Sequence, residues 1–402
     1  MNYKKPNIFC YRIAQAASWL VSTLIFKRKL LRNEIKGKHG PFVVIANHGA
    51  SLDFVNLIGA TSRPMSFVIS NSFYSTLPIK GFLDKMGVIP KQQFQTTADD
   101  LKRIKAVVNH GEPVVIYPAG LMCEDGLSTP VPPATYKFLK WLGVDVYVAR
   151  TQGSYFVMPK WAKGMRAGTT TMDIYRLFTK EELASSDLAA IQEKTDNALL
   201  FDAYREQEKL LAEYKNSSCV EGLQNVLYMC PHCGKEFTIV AQGDTLRCAA
   251  CGFAQTSDKY AFLHKVSNVG KEIRYVSDWS RMIYENLKEK IRSGSCTELS
   301  SPIQIQMIDS KKNKFTQVGQ GVVILSQNGF EIEGTLKGEA VSLSFPIEGI
   351  PSLPFSPGKH FEVQHGKDIY RCIPENGRLA MKFINMVKIF FVLSRERAAV
   401  RN

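Results

Sequence analysis

Two pairs of cysteines constrain this chain more than any other feature. Cys230-Pro231-His232-Cys233 and Cys248-Ala249-Ala250-Cys251 are separated by fourteen residues, and a glycine follows each, Gly234 and Gly252. Paired Cys-x2-Cys turns at this spacing supply the four thiolates of a tetrahedral zinc site. Two disulfides or a redox pair are disfavoured because both half-sites share one knuckle pattern. Four thiolates leave the ion no open position for water or substrate, so Zn2+ here reads as structural, with His232 not required as a fifth ligand. Zinc thiolates also require a reducing compartment. The other cysteines, Cys10, Cys123, Cys219, Cys296 and Cys372, are scattered and odd in number, and offer no disulfide framework.

Between the knuckles, residues 237–240 and 245–247 flank Gly243-Asp244 as a short hairpin. The whole, over 226–256, resembles a zinc ribbon.

A second constellation lies near the amino terminus, where the apolar run 42–46 leads into Asn47-His48-Gly49-Ala50-Ser51-Leu52-Asp53-Phe54. An imidazole polarised by a carboxylate removes a proton from an alcohol far better than a solvated side chain does. Positions five apart do not share a helix face, so the pair meets only across a turn. Gly49 supplies the backbone freedom and Ser51 is placed to cap a helix beginning near Leu52. His48 then ends a strand and Asp53 opens the next helix, the crevice where open α/β sheets hold their ligands. A helix-capping aspartate beside a satisfied histidine is the competing reading of the pair alone.

Asn-His followed by four residues and Asp resembles the signature of the glycerolipid acyltransferases, the 1-acyl-glycerol-3-phosphate and lysophospholipid acyltransferases. Three further blocks follow in the family's order: Gly87-Val88-Ile89-Pro90-Lys91, then 114–116 with Tyr117-Pro118-Ala119-Gly120, then Tyr155-Phe156-Val157-Met158-Pro159 as an apolar strand leading into proline. The resemblance implies that His48 is a general base on the acceptor hydroxyl and that Asp53 orients it. It implies an acyl thioester donor, acyl-CoA or acyl carrier protein, and a lysophospholipid acceptor. It places Asn47, Tyr117, Pro118 and Gly120 on the substrate side, with Lys91 holding a phosphate. On its own residues Lys91 reads equally as a solvated lysine after a short strand. Ala119 stands where the family has a glutamate associated with holding the acceptor. That loss implies a changed acceptor, a substitute such as Glu124 or Asp125, or a weakened enzyme acting as a lipid-binding or recruitment protein.

With 402 residues and 45% hydrophobic content the chain can bury a full core and has room for two or three domains. Its net charge is +14, and residues 1–40 hold nine Lys/Arg against one Glu, a local surplus of +8. These basic residues bracket the apolar stretch 13–26, which is short of the roughly 20 residues a membrane-spanning helix needs. No small-residue cleavage site follows it, and Lys27-Arg28-Lys29 come directly after, which argues against a cleaved signal. An interfacial helix over 1–33, anchored to phospholipid on the cytoplasmic face, fits this pattern; an ordinary first helix with a basic flank is the alternative. Nucleic acid is not expected as a partner, because the basic cluster sits on an apolar helix ahead of the acyltransferase-like blocks.

Alternating strands (66–69, 114–117, 144–149) and helices (77–86, 97–109, 134–142, then mostly helix over 181–214) predict an α/β domain over 34–218, a central sheet flanked by helices. A helical connector over 257–298 leads to a β-rich module over 299–402 that ends in an amphipathic helix with Leu379, Phe383, Met386, Val387 and Phe390 on one face. That module is similar in pattern to a pleckstrin-homology-like domain. A helix packing its own small sheet without a ligand is the plainer reading.

Overall fold

The computed structural model describes residues 5–93, 97–214 and 219–401, so Lys4 of the basic cluster lies outside the described residues. The chain forms two compact units. The first takes in residues up to 160, 164–214 and 259–261; the second takes in 161–163, 219–258 and 262–401.

The first unit runs α1 (Ile8–Leu24), β1 (Lys29–Asn33), β2 (Phe42–Ala46), α2 (Asp53–Ile58), β3 (Ser66–Ser70), α3 (Asn71–Thr76), α4 (Lys80–Lys85), β4 (Ile89–Lys91), α5 (Ala98–Asn109) and β5 (Val114–Ile116). It continues through α6 (Ala134–Leu142), β6 (Asp145–Gln152), α7 (Ser154–Val157), β7 (Thr171–Phe178), α8 (Lys180–Ser185), α9 (Leu188–Leu199) and α10 (Ala203–Leu210). Its seven strands lie in the order β1-β7-β6-β2-β5-β3-β4, parallel from β6 through to β4. Strand β2 sits at the centre and is buried along its whole length. Val43 and Ile45 face a core with Ile104, Val107, Leu139 and Ile191; Phe42, Val44 and Ala46 face another with Tyr11, Leu57 and Ile58. Helices thus cover both faces, which explains why β2 reads as an unbroken apolar run.

Several segments differ from the sequence expectation. The helix expected at 77–86 is the shorter α4, which starts only at Lys80 because Pro78 holds Leu77 extended (φ −83°, ψ 133°); α3 lies before the expected range. The fourth block is not a strand: Gly153, at φ +82°, turns the chain out of β6 into the single turn of α7. Strands β1 and β7 had not been anticipated. They pair in parallel, and Arg32 on one grips Asp173 on the other at 2.8 and 2.9 Å.

Helix α1 buries a narrow polar face, with Tyr11, Ser18 and Ser22 inward, and leaves Phe9, Ile13, Trp19, Leu20 and Leu24 exposed. Small Ser22 and Gly59 let α1 approach α2 closely. The basic residues behind it have local work: Arg28 donates to the carbonyls of Asn56 and Gly59 at the end of α2, Lys38 pairs with Asp145, and Lys5 with Glu112. Among the described residues no helix is long and apolar enough to cross a membrane.

The second unit holds β8 (Ile239–Gln242), β9 (Thr245–Cys248), β10 (Ala254–Ser257), β11 (Leu263–Lys265), α11 (Val276–Arg292) and β12 (Glu298–Asp309). It ends with β13 (Lys314–Ser326), β14 (Gly329–Leu336), β15 (Glu339–Pro346), β16 (Phe355–Ser356), β17 (His360–His365), β18 (Asp368–Pro374) and α12 (Leu379–Arg401). Four antiparallel strands, β11-β10-β9-β8, carry the cysteine turns. Seven more, β15-β14-β13-β12-β18-β17-β16, form an antiparallel sheet. Against it α12 packs Phe383, 4.9 Å from the Phe361 ring and 6.2 Å from that of Phe330. Ribbon and module are joined within this unit. Arg378, just before α12, donates to the carbonyls of Phe237, Gln224 and Ile239; Lys382 pairs with Glu236; and Trp279 of α11 donates to the Met229 carbonyl.

Candidate active site

Parallel pairing of β2 with β5, Ile45 opposite Ile116, brings the chain segments after these two strands side by side at one edge of the sheet. His48 and Tyr117 emerge there as neighbours, which is why blocks some seventy residues apart meet. The His48 Nδ1 lies 3.0 Å from Asp53 Oδ2. That same oxygen accepts the backbone N–H groups of Gly49 at 2.8 Å and Ala50 at 2.9 Å. Asp53 therefore shapes the turn that carries its own partner. Ser51, expected as the cap of α2, donates instead to Met158 Sδ, and Asp53 satisfies the turn's N–H groups in its place.

One further contact is made to the imidazole ring and one to the His48 backbone. Tyr117 stacks tilted against it with ring centroids 4.6 Å apart. Burial pushes the Tyr117 phenol well above its ordinary range, and the charge of Asp53 adds to the shift, so the ring stays neutral. The His48 carbonyl accepts from Cys123 N–H at 3.2 Å. Burial, with the charges of Asp125, Glu124 and Asp53, likewise raises the Cys123 thiol well above its usual value, which leaves it a poor nucleophile.

A shallow, partly open cleft lies beside His48, lined by Ala46, Pro118, Ala119, Leu121, Ser128, Thr129, Val131, Leu199 and Phe201. With Nδ1 donating to a carboxylate, Nε2 carries the lone pair that can take a proton. Residues 25–156 match the family model described as Acyltransferase. Through this stretch the chain is similar to that family. A second model, a zinc ribbon described as DNA directed RNA polymerase, 7 kDa subunit, matches residues 223–254. No curated protein matches the sequence. Among solved structures, the chain is similar to the 1-acyl-sn-glycerophosphate (LPA) acyltransferase PlsC from Thermotoga maritima, with 16% identity, TM-score 0.41, and coverage of 52% of this chain and 80% of that one. It is also similar to the Ran binding domain of the nuclear complex component Nup2 from Ashbya gossypii, with 11% identity, TM-score 0.19, and coverage of 24% and 98%.

Within the first unit the other expected residues fall into different places. The Asn47 amide makes two 2.8 Å bonds to the backbone of Thr151 on β6, so its polar atoms brace β2 against β6 rather than reach for a ligand. Pro118 lines the cleft. Gly120, at φ +70°, closes the tight turn from Tyr117 and lies outside the cleft wall. Lys91 ends β4, three strands from β2 and so about 14 Å away along the sheet. It donates to the Gln92 carbonyl at 3.1 Å, and burial lowers its pKa below 10.5 against the opposing charge of Asp100. Glu124 and Asp125 are buried and do not border the cleft. Sequence reasoning missed Ser128 and Thr129, which lie in a polar, proline-rich run (128–133) with no motif to mark them.

The four ribbon cysteines converge, with all four sulfurs within 4.8 Å of one another. Cys230 and Cys251 sulfurs are 3.7 Å apart, and those of Cys233 and Cys248 are 3.8 Å apart. A tetrahedron of 2.3 Å zinc–sulfur bonds has edges of about 3.8 Å, so the cluster fits the ion. Gly234 (φ +70°) and Gly252 (φ +77°) complete the knuckles, each donating its N–H to the carbonyl of the first cysteine. His232 is exposed and outside the cluster.

Proposed function

We propose that this protein transfers a fatty acyl group from an acyl thioester, acyl-CoA or acyl carrier protein, to the free hydroxyl of a lysophospholipid or 1-acyl-glycerol-3-phosphate-like acceptor. The observation that carries this reading is the 3.0 Å His48–Asp53 bond, which turns the basic nitrogen of His48 outward beside an open cleft. His48 Nε2 takes the acceptor proton as the oxygen attacks the thioester carbonyl, and Asp53 stabilises the resulting imidazolium. Collapse of the tetrahedral adduct breaks the carbon–sulfur bond, and the imidazolium returns its proton to the leaving thiolate. The glycerolipid assignment is supported by the order of the four blocks, with Lys91 as a point charge for the acceptor's phosphate.

Membrane association belongs to the same proposal. The exposed apolar face of α1, with Phe9 72% and Trp19 57% accessible, suits the cytoplasmic surface of a phospholipid bilayer. Zn2+ held by Cys230, Cys233, Cys248 and Cys251 would stabilise the ribbon. The strand order of the seven-stranded sheet, with a terminal helix packed on it, supports the pleckstrin-homology-like reading of the module. Ala119 favours a second reading, a weakened relative that binds lipid without turnover. Radiolabelled acyl transfer from both donor types to a lysolipid panel, by wild type and H48A, decides between them. The proposal expects transfer by wild type and near-complete loss in H48A. Equal transfer by both would remove His48 from the mechanism, and no transfer to any acceptor would leave the binding protein.

A further inference from the structure

The cleft beside His48 has few polar atoms to offer a ligand, and no charged side chain borders it. Both polar atoms of Asn47 are bonded to Thr151. His48 is reserved for the proton. Ala119 presents a methyl group where the related enzymes have a carboxylate for the acceptor. What remains among the lining residues is Ser128 and Thr129, the two that carry hydroxyls.

Ser128 is held on both sides. The Ser128 N–H donates to the Phe201 carbonyl at 3.0 Å, and Ser128 Oγ accepts from the Phe201 N–H at 3.1 Å. An antiparallel bridge between Leu127 and Asp202 fixes the segment one residue earlier. Ser128 keeps its own hydroxyl hydrogen to donate. Thr129 Oγ1 has no partner among the described residues, and its β-branch limits the rotamers available to it.

We propose that Thr129, seconded by Ser128, holds the glycerol hydroxyl of the acceptor for His48, in place of the carboxylate lost at Ala119. This rests on the acyl-transfer reading given above. A threonine hydroxyl both donates and accepts, so it recognises an uncharged alcohol or carbonyl oxygen and not the acceptor's phosphate, which belongs farther along the sheet at Lys91. Val131, Leu199 and Phe201, which line the same cleft, offer apolar surface to the acceptor's chain.

The test compares wild type, T129V and T129S in equilibrium binding of a fluorescent 1-acyl-glycerol-3-phosphate and of its deoxy analogue lacking the free hydroxyl, without acyl donor. Wild type and T129S are expected to favour the hydroxyl-bearing lipid about tenfold, and the isosteric T129V to bind both alike. In turnover, T129V should raise the acceptor KM while leaving the donor KM unchanged. Undiminished preference in T129V, or no preference in wild type, would overturn the proposal. Wild type that discriminates in binding but transfers no acyl group would overturn the acyl-transfer reading alone and leave the hydroxyl pair in place.

Discussion

Replacing Asp53 with asparagine separates the two tasks of one oxygen. Asp53 Oδ2 accepts from His48 Nδ1 at 3.0 Å and from two backbone N–H groups at 2.8 and 2.9 Å, with the side chain only 1% exposed. The amide oxygen of D53N can accept all three donors, so the turn and the outward-facing Nε2 persist. The negative charge does not. A unit charge near an imidazolium about 4 Å away is worth about 4 kcal/mol at an effective dielectric of 20, and the imidazolium exists only once the proton has moved. That loss corresponds to about a thousandfold in kcat/KM with little change in thermal midpoint. D53A removes the acceptor altogether and strands the Gly49 and Ala50 N–H groups in a buried turn, at about 1–3 kcal/mol each. Acyl transfer by a thiol-release assay, alongside calorimetry of the same preparations, distinguishes the effects. D53N activity within a few-fold of wild type would refute the role of the charge; equal destabilisation by D53N and D53A would refute the role of the oxygen in the turn.

Further outcomes follow from other parts of the molecule. K91M should be more stable than wild type at neutral pH, because the partly buried ammonium is charged at a penalty; the difference should shrink as pH rises from the lowered native pKa toward 10.5, where the unfolded chain also loses the proton. The same variant should raise the KM for phosphate-bearing acceptors, checked by steady-state kinetics beside urea titrations at several pH values. C248S should reduce bound zinc from one per chain to none by elemental analysis and lower the unfolding midpoint of the ribbon-bearing unit; loss of acyl transfer upon chelation without any unfolding would contradict a structural role. Replacing Trp19 and Leu24 by glutamate should abolish flotation with anionic vesicles, since each apolar side chain is worth about 1.5–3 kcal/mol on burial, while soluble-substrate turnover persists.

The parts legible in the sequence were those specified by short-range chemistry. The cysteine turns have a fixed spacing, α5 has a capping box of Thr97 and Asp100, and β2 and β5 are buried runs between turn residues. His48 and Asp53 were legible because one turn brings them together. Residues joined only by the fold were not. Asn47 and Thr151 lie 104 positions apart, and nothing local announces the clasp between them. Strand β12 alternates polar and apolar residues, but Pro302 and its serines mask it, and its pairing with β13 overrides that local signal. Thr129 carries a hydroxyl whose meaning comes entirely from the wall it stands in.

Arg378 lies 127 positions beyond the last of the four ribbon cysteines, yet its guanidinium closes on carbonyls next to the first knuckle, at Phe237 and Ile239. A zinc ion in the cysteine cluster and the seating of the terminal helix are therefore expected to be coupled. Whatever loosens the tail must weaken the hold on the ion by the same free energy by which the ion secures the tail. A chain cut short before residue 378 would hold its zinc less tightly although every ligand were intact, and a chain stripped of zinc would first betray itself to a protease at its far end.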